Sequence, residues 1–172
     1  MPADRLFIHS FVITVVVSLL CVPGRLTAQG VVETVHLVIT GGQNAGTYDA
    51  QGTRAGCSAG AEGPNTWGNQ LSSTQGDPKA FNSLQLSLPD AKRASAGTPQ
   101  FMIAVGFGPL MKRTATYTVE TRPGQKQAGK GLVTVKDAGA TATVTFNAET
   151  ADGVKLAGQI NCQKVTRLGA AG

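Results

Sequence analysis

The chain runs in a two-residue rhythm over much of its length. Val35, Leu37 and Ile39 alternate with Thr34, His36 and Val38, and Gly41-Gly42 ends the run. Such alternation sends successive side chains to opposite faces of a strand. The same rhythm returns at Trp67, Asn69 and Leu71, at Leu84, Leu86 and Leu88, at Ala115, Tyr117 and Val119, and at Ala142, Val144 and Phe146. Thr47-Tyr48-Asp49 predicts a short second strand, and Leu132 to Lys136 a later one. Phe101, Ile103, Val105 and Phe107 share one face, while Met102, Ala104 and Gly106 are small or apolar on the other. A strand of that kind is expected to be central or partly covered. Val154, Leu156, Gly158, Ile160 and Cys162 share the face of the last strand, which points Cys162 inward.

Turn residues separate these runs. Residues 52–66 are rich in Gly, Ala, Ser and Asn and read as a loop pinned by Cys57. Pro89-Asp90 stops a strand, and residues 91–99 read as a polar loop. Arg122-Pro123-Gly124 opens a polar turn that runs to Gly131, and Asp137-Ala138-Gly139 makes another turn. Asp152-Gly153 is a strong hairpin signal. The tail from Arg167 to Gly172 is expected to fray. No internal repeat is evident. The pattern predicts an all-β fold, an antiparallel β-sandwich of about eight or nine strands, with a small barrel as the second choice.

The front of the chain departs from this rhythm. Phe11 to Val22 is a predominantly apolar run of twelve, flanked by Arg5 before it and by Pro23-Gly24 after it. It suits the apolar region of an export signal and is too short to span a bilayer, which takes about 20 residues. Ala28 and Gly30 supply small residues at cleavage spacing, so residues 1–30 are expected to be a signal peptide and 31–172 one β-sandwich domain. Cys21 stands where a lipidated cysteine would stand, but Leu20 before it is larger than the lipoprotein peptidase prefers. Soluble export, periplasmic or extracellular, is therefore the first expectation. A lipid anchor at Cys21 is the alternative and the sole route to a membrane.

Composition changes the picture in two places. After residue 30, eight Lys and five Arg stand against five Asp and four Glu, a formal +4. These charges are scattered. The nearest thing to a basic cluster is Lys112, Arg113, Arg122, Lys126 and Lys130, read as lying around one loop. Nucleic-acid binding wants a denser basic face with stacking aromatics and is not expected. Two cysteines remain, Cys57 and Cys162. An even count in an exported chain implies a disulfide, and two cysteines allow one pairing. The link would close a loop of about 106 residues, worth about 4.7 kcal/mol in chain entropy. Two cysteines and one histidine would not complete a tetrahedral zinc site.

Catalytic motifs find little support. Gly56-Cys57-Ser58-Ala59-Gly60 spells G-x-S-x-G, the nucleophile elbow of α/β-hydrolases. That elbow needs a strand–turn–helix setting and a later histidine. Here His36 is the one histidine after residue 30, and it precedes Ser58 on a predicted strand, outward-facing. Asp49, Asp77, Asp90, Asp137 and Asp152 mostly fall at turns, where Asp serves the backbone. Glu33, Glu120 and Glu149 lie far apart, with nothing to suggest a carboxylate pair. Trp67, the single tryptophan, reads as core rather than as a sugar-stacking platform. No catalytic residue, cofactor or metal site is predicted.

An export signal, a Gly- and Thr-rich all-β body and one disulfide from an early loop to the last strand together resemble small bacterial envelope proteins of the mycobacterial lipoprotein-antigen type. Cys57 and the closing strand Gly153 to Cys162 (GVKLAGQINC) carry the likeness, which covers the outline of the chain after residue 30. The poor lipidation site at Leu20-Cys21 departs from that family, and no functional residues carry over. The expected function is a non-enzymatic binding or structural module of the envelope or exterior, its ligand and partner open. A carrier with an apolar cavity between the sheets is one alternative. An enzyme whose site is not visible in sequence is the other.

Overall fold

The computed structural model describes residues 30–169, apart from 55, 73–76, 78 and 110. The expected signal segment through residue 29, with Cys21, lies outside the described residues, as do residues 170–172 of the tail.

Two sheets carry the fold, and they do not close into a barrel. The five-stranded sheet holds β1 (Glu33–Thr40), β2 (Gly46–Gly52), β8 (Lys130–Asp137), β9 (Ala142–Glu149) and β10 (Lys155–Cys162), in the order β2-β1-β10-β9-β8. The six-stranded sheet holds β3 (Gly56–Ala59), β4 (Trp67–Ser72), β5 (Phe81–Leu88), β6 (Met102–Phe107), β7 (Ala115–Glu120) and β11 (Val165–Arg167), in the order β11-β3-β4-β5-β6-β7. Every pairing is antiparallel except β11 with β3.

The predicted inward sets are the observed core. Val35, Leu37 and Ile39 of β1, Leu84, Leu86 and Leu88 of β5, and Val144 and Phe146 of β9 are all buried in one continuous cluster. Trp67 is 1 % exposed and belongs to this core. The Asp152-Gly153 hairpin forms as its sequence directs, with Gly153 at φ +86° and Thr150 N–H donating to the Val154 carbonyl. The doubly apolar strand β6 lies between β5 and β7, as its pattern required.

Three stretches read as irregular contain regular structure. Within the expected loop 52–66, Cys57 sits on strand β3, because the disulfide and the antiparallel partner β4 order a segment too short to show a rhythm. Within 91–99, Ala91–Ala94 form one helical turn, capped by Asp90, whose carboxylate accepts from the Lys92 and Arg93 amides. Buried Ala94 anchors that turn to the core. In the expected frayed tail, Arg167 belongs to β11, which pairs alongside β3 and ion-pairs with Asp137. The described residues thus form eleven strands.

Chain crossings between sheets set where the disulfide falls. The chain passes from β2 to β3, from β7 to β8 and from β10 to β11 between the sheets. Cys57 on β3 and Cys162 at the end of β10 are bonded across the two sheets, with Cα atoms 5.9 Å apart.

Candidate functional site

The disulfide has a polar companion. On the five-stranded sheet, Glu33 of β1 stands opposite Cys162 of β10. On the six-stranded sheet, Asn69 of β4 stands opposite Cys57 of β3. Two links then cross the core side by side: the Cys57–Cys162 bond, and a hydrogen bond donated by Asn69 Nδ2 to Glu33 Oε2. Asn69 Nδ2 also approaches Cys57 Sγ at 3.6 Å. Glu33 is 0 % exposed and Asn69 3 %. Glu33 fills space left by the absent side chain of Gly52, where a Cβ would lie 2.6 Å from Oε1.

Burial pushes the Glu33 carboxyl above its ordinary range, partly offset by the Asn69 hydrogen bond. Glu33 Oε1 and Asn69 Oδ1 have no hydrogen-bond partner. Two unpartnered acceptors in one buried pair are what a neutral acid resolves, since its O–H can donate. The arrangement is a structural brace. It lies between the two sheets, out of reach of a solute.

The hydrolase-like motif dissolves in three dimensions. Cys57 faces inward on β3, so Ser58 faces outward from the six-stranded sheet. His36 faces outward from the five-stranded sheet, its Nδ1 at 2.7 Å from Asp49 Oδ1. Both sheets therefore stand between Ser58 and His36, and packed sheets alone are about 10 Å apart. The glutamates have separate partners too. Glu33 meets Asn69, Glu149 meets Lys130 at 3.6 Å, and Glu120 meets Arg122 at 2.7 Å. Hydrogen bonding from Arg122 holds the Glu120 carboxyl below its ordinary range, and Arg122 is raised in return. No group of three or more potential metal ligands occurs among the described residues.

The basic residues do not surround one loop. Lys112 and Arg113 precede β7, whereas Arg122 and Lys126 follow it, so the six-residue strand separates them by about 20 Å. Arg122, Lys126 and Lys130 border the one connection between β7 and β8, and Lys112 and Arg113 lie at the opposite end of β7. Sequence proximity across a short strand suggested a cluster that the extended backbone pulls apart.

The outer face of the six-stranded sheet has a different character. Strand register sets its residues in rows. Thr166, Ser58, Gly68, Ser87 and Met102 lie side by side from β11 to β6. The next row runs Gln70, Gln85, Ala104 and Thr118. The third runs Ser72, Ser83, Gly106 and Thr116. Small side chains leave two adjoining hollows here, of about 330 Å³ and 260 Å³, and Gln70 and Gln85 line both. Arg122 reaches Ser87 at one end, and Arg113 donates to Ser83 Oγ at the other.

A hollow of about 600 Å³ lies on the opposite outer face, over Thr34, His36, Asp49 and Asn161. Apart from Gln51, its polar side chains are engaged with other side chains. His36 meets Asp49, Gln159 donates to Asn161, and Asn161 donates to Thr34. By contrast, the side-chain amides of Gln70 and Gln85 make no hydrogen bond to another described residue. Each offers two donors and an acceptor to whatever lies in the hollow. On chemistry rather than volume, the six-stranded face is the candidate site. Sequence analysis missed it because these residues are ordinary strand-exterior types. The rhythm did place Gln85 and Ser87 opposite the leucines of β5. No family model, no curated protein and no solved structure matches this chain.

Proposed function

We propose that this protein is an exported, non-enzymatic binding module that holds an extended, hydroxyl-rich ligand, an oligosaccharide, across the outer face of its six-stranded sheet. One observation carries the reading: the unengaged Gln70 and Gln85 amides stand at the shared wall of two hollows floored by small residues. Amides and hydroxyls in flat array match the alternating donors and acceptors of sugar hydroxyls. A peptide fits this face less well, because main-chain recognition uses a free sheet edge, whereas here the backbone groups are spent between strands.

Recognition on the surface also fits the interior better than carriage within it. Inward side chains from both sheets, Leu37, Phe101, Ile103, Val133 and Leu156 among them, are fully buried in one cluster, and the hollows described above open on outer faces. Export rests on the apolar run Phe11 to Val22, the small residues at 28–30 and the disulfide, whose persistence belongs to oxidising compartments. The likeness to small envelope proteins points the same way.

Two measurements test this. Mass spectrometry of the protein recovered from its native host should find a mature chain starting near Val31; an unprocessed Met1 would remove export, and a lipid-modified Cys21 would replace release with anchoring. NMR titration of the mature, disulfide-bonded protein with a panel of oligosaccharides should shift amides of β4, β5 and β6. Replacing Gln70 and Gln85 together by Ala should weaken that binding at least tenfold while leaving the thermal midpoint within a few degrees. Shifts confined to the five-stranded sheet, or none at all, would refute the site.

A further inference from the structure

Gly106 is an unusual choice for the middle of a strand. Its backbone is ordinary, so no positive φ requires glycine there. Glycine within a strand is less favourable than alanine, because it gives up more backbone freedom on folding. What needs the missing side chain is Arg113. A Cβ at position 106 would lie 1.5 Å from Arg113 Nη1, 2.7 Å from its Cζ and 2.5 Å from Ser83 Oγ. Arg113 Nη1 therefore occupies the space that a side chain at position 106 would take, and it donates to Ser83 Oγ at 2.7 Å. Gly106 is buried beneath it.

A neutralising partner would explain an arginine held like this, and none of the described carboxylates provides one. Among the described residues, ion pairs engage Arg93, Arg122, Lys130, Arg167 and His36, and none of these involves Arg113. Its remaining donors face the 260 Å³ hollow beside Gln70 and Gln85. At the far end of the face the other guanidinium, Arg122, is already satisfied by Glu120. Among the described residues of the face, Arg113 is thus a cation without a carboxylate partner, exposed at one end and hydrogen-bonded to Ser83.

We infer that Arg113, seated on Gly106 and steadied by Ser83, reads a carboxylate on the bound chain, so that the ligand is an acidic oligosaccharide of the uronate class. This rests on the reading of the face proposed above. A planar guanidinium with its fork pre-oriented gives up less conformational freedom on pairing than a mobile lysine, and it takes a carboxylate in bidentate fashion. The rows set the scale. Ser87 to Ser83 is four residues along β5, roughly 13 Å, so a short oligosaccharide anchored at Arg113 passes the Gln70–Gln85 pair and reaches the Ser58–Ser87 row. The formal +4 after residue 30 favours the approach of such a ligand.

The experiment uses the mature, disulfide-bonded protein and a panel of uronate trisaccharides differing in stereochemistry, each alongside its methyl ester, which keeps the sugar and removes the charge. Calorimetry and NMR should find at least one acidic trisaccharide bound at least tenfold more tightly than its ester. Arg113→Gln should erase that tenfold difference between acid and ester. Gly106→Ala, which unseats the guanidinium without removing it, should erase most of it, and a thermal melt confirms that each variant is folded. Equal affinity for acid and ester, or a preference that survives Arg113→Gln, overturns the inference and leaves the oligosaccharide face standing. If no trisaccharide of either form shifts β4, β5 or β6, the face itself is refuted, and the inference with it.

Discussion

Glu33 shows how much one residue can ask of a small core. A carboxyl at 0 % exposure is tolerated because Asn69 donates to it and because Gly52 leaves it room. Across the strands it neighbours the disulfide, whose cysteines carry no charge. Its folded pKa lies above the unfolded value, so between the two the folded state holds more protons. The stability it contributes is complete below the ordinary value of 4.5 and is lost as pH rises through the folded value. Glu120 has the opposite sign, its contribution present above the unfolded value and lost as pH falls through the depressed one. Comparing wild type with Glu33→Gln cancels Glu120 and every other group. Guanidinium unfolding between pH 4 and 8 should show wild type losing stability against Glu33→Gln as pH rises. A difference that grows the other way would mean an ionised, favourably paired Glu33. Asn69→Ala should cost about 1–3 kcal/mol, the usual penalty for leaving a buried polar partner unpaired.

Among the elements, β10 is the most constrained. It pairs with β1 on one side and β9 on the other, and it ends at the disulfide. Gly158 at its centre stands opposite Phe146 of β9. A Cβ there would lie 2.3 Å from the His36 carbonyl oxygen and 2.6 Å from the Phe146 ring. The first of these is backbone and cannot rotate away. Gly158→Ala should therefore destabilise by about 1–3 kcal/mol, as overpacking does, despite the better strand propensity of alanine. A thermal midpoint unchanged or raised would contradict that geometry. The inward rhythm of β10 was readable before the structure, but it included Gly158 as one more core position. That Phe146 covers a bare backbone there depended on the register with β9.

At the scale of the molecule, the two sheets are held together at one corner by a covalent link and a hydrogen bond in parallel. Removing the covalent link with Cys57→Ser and Cys162→Ser should cost about 2–5 kcal/mol. That is a large part of the 5–15 kcal/mol typical of a whole domain. Because Asn69 touches both Glu33 and Cys57, the brace should behave as one unit. A double-mutant cycle between the disulfide and Asn69→Ala should show a coupling of about 0.5–3 kcal/mol. Strict additivity in urea unfolding would show that the links act independently.

Which residues face inward, which two cysteines bond and that strands build the fold could all be read from the chain, and the two open sheets were its preferred arrangement. These are local or arithmetical facts. Period-two alternation is decided within each strand, and two cysteines have one pairing. The same alternation that marked Val35, Leu37 and Ile39 includes Glu33 two positions earlier, so its inward direction was already written in the chain. Short segments fell below that signal. The four residues of β3 and the three of β11 are ordered by their neighbours rather than by their own pattern. Tertiary structure alone decided the lateral neighbours: Asn69 against Glu33, Gln70 beside Gln85, Arg113 over Gly106. Each joins residues brought together by strand register or sheet packing, and those depend on the whole chain closing on itself.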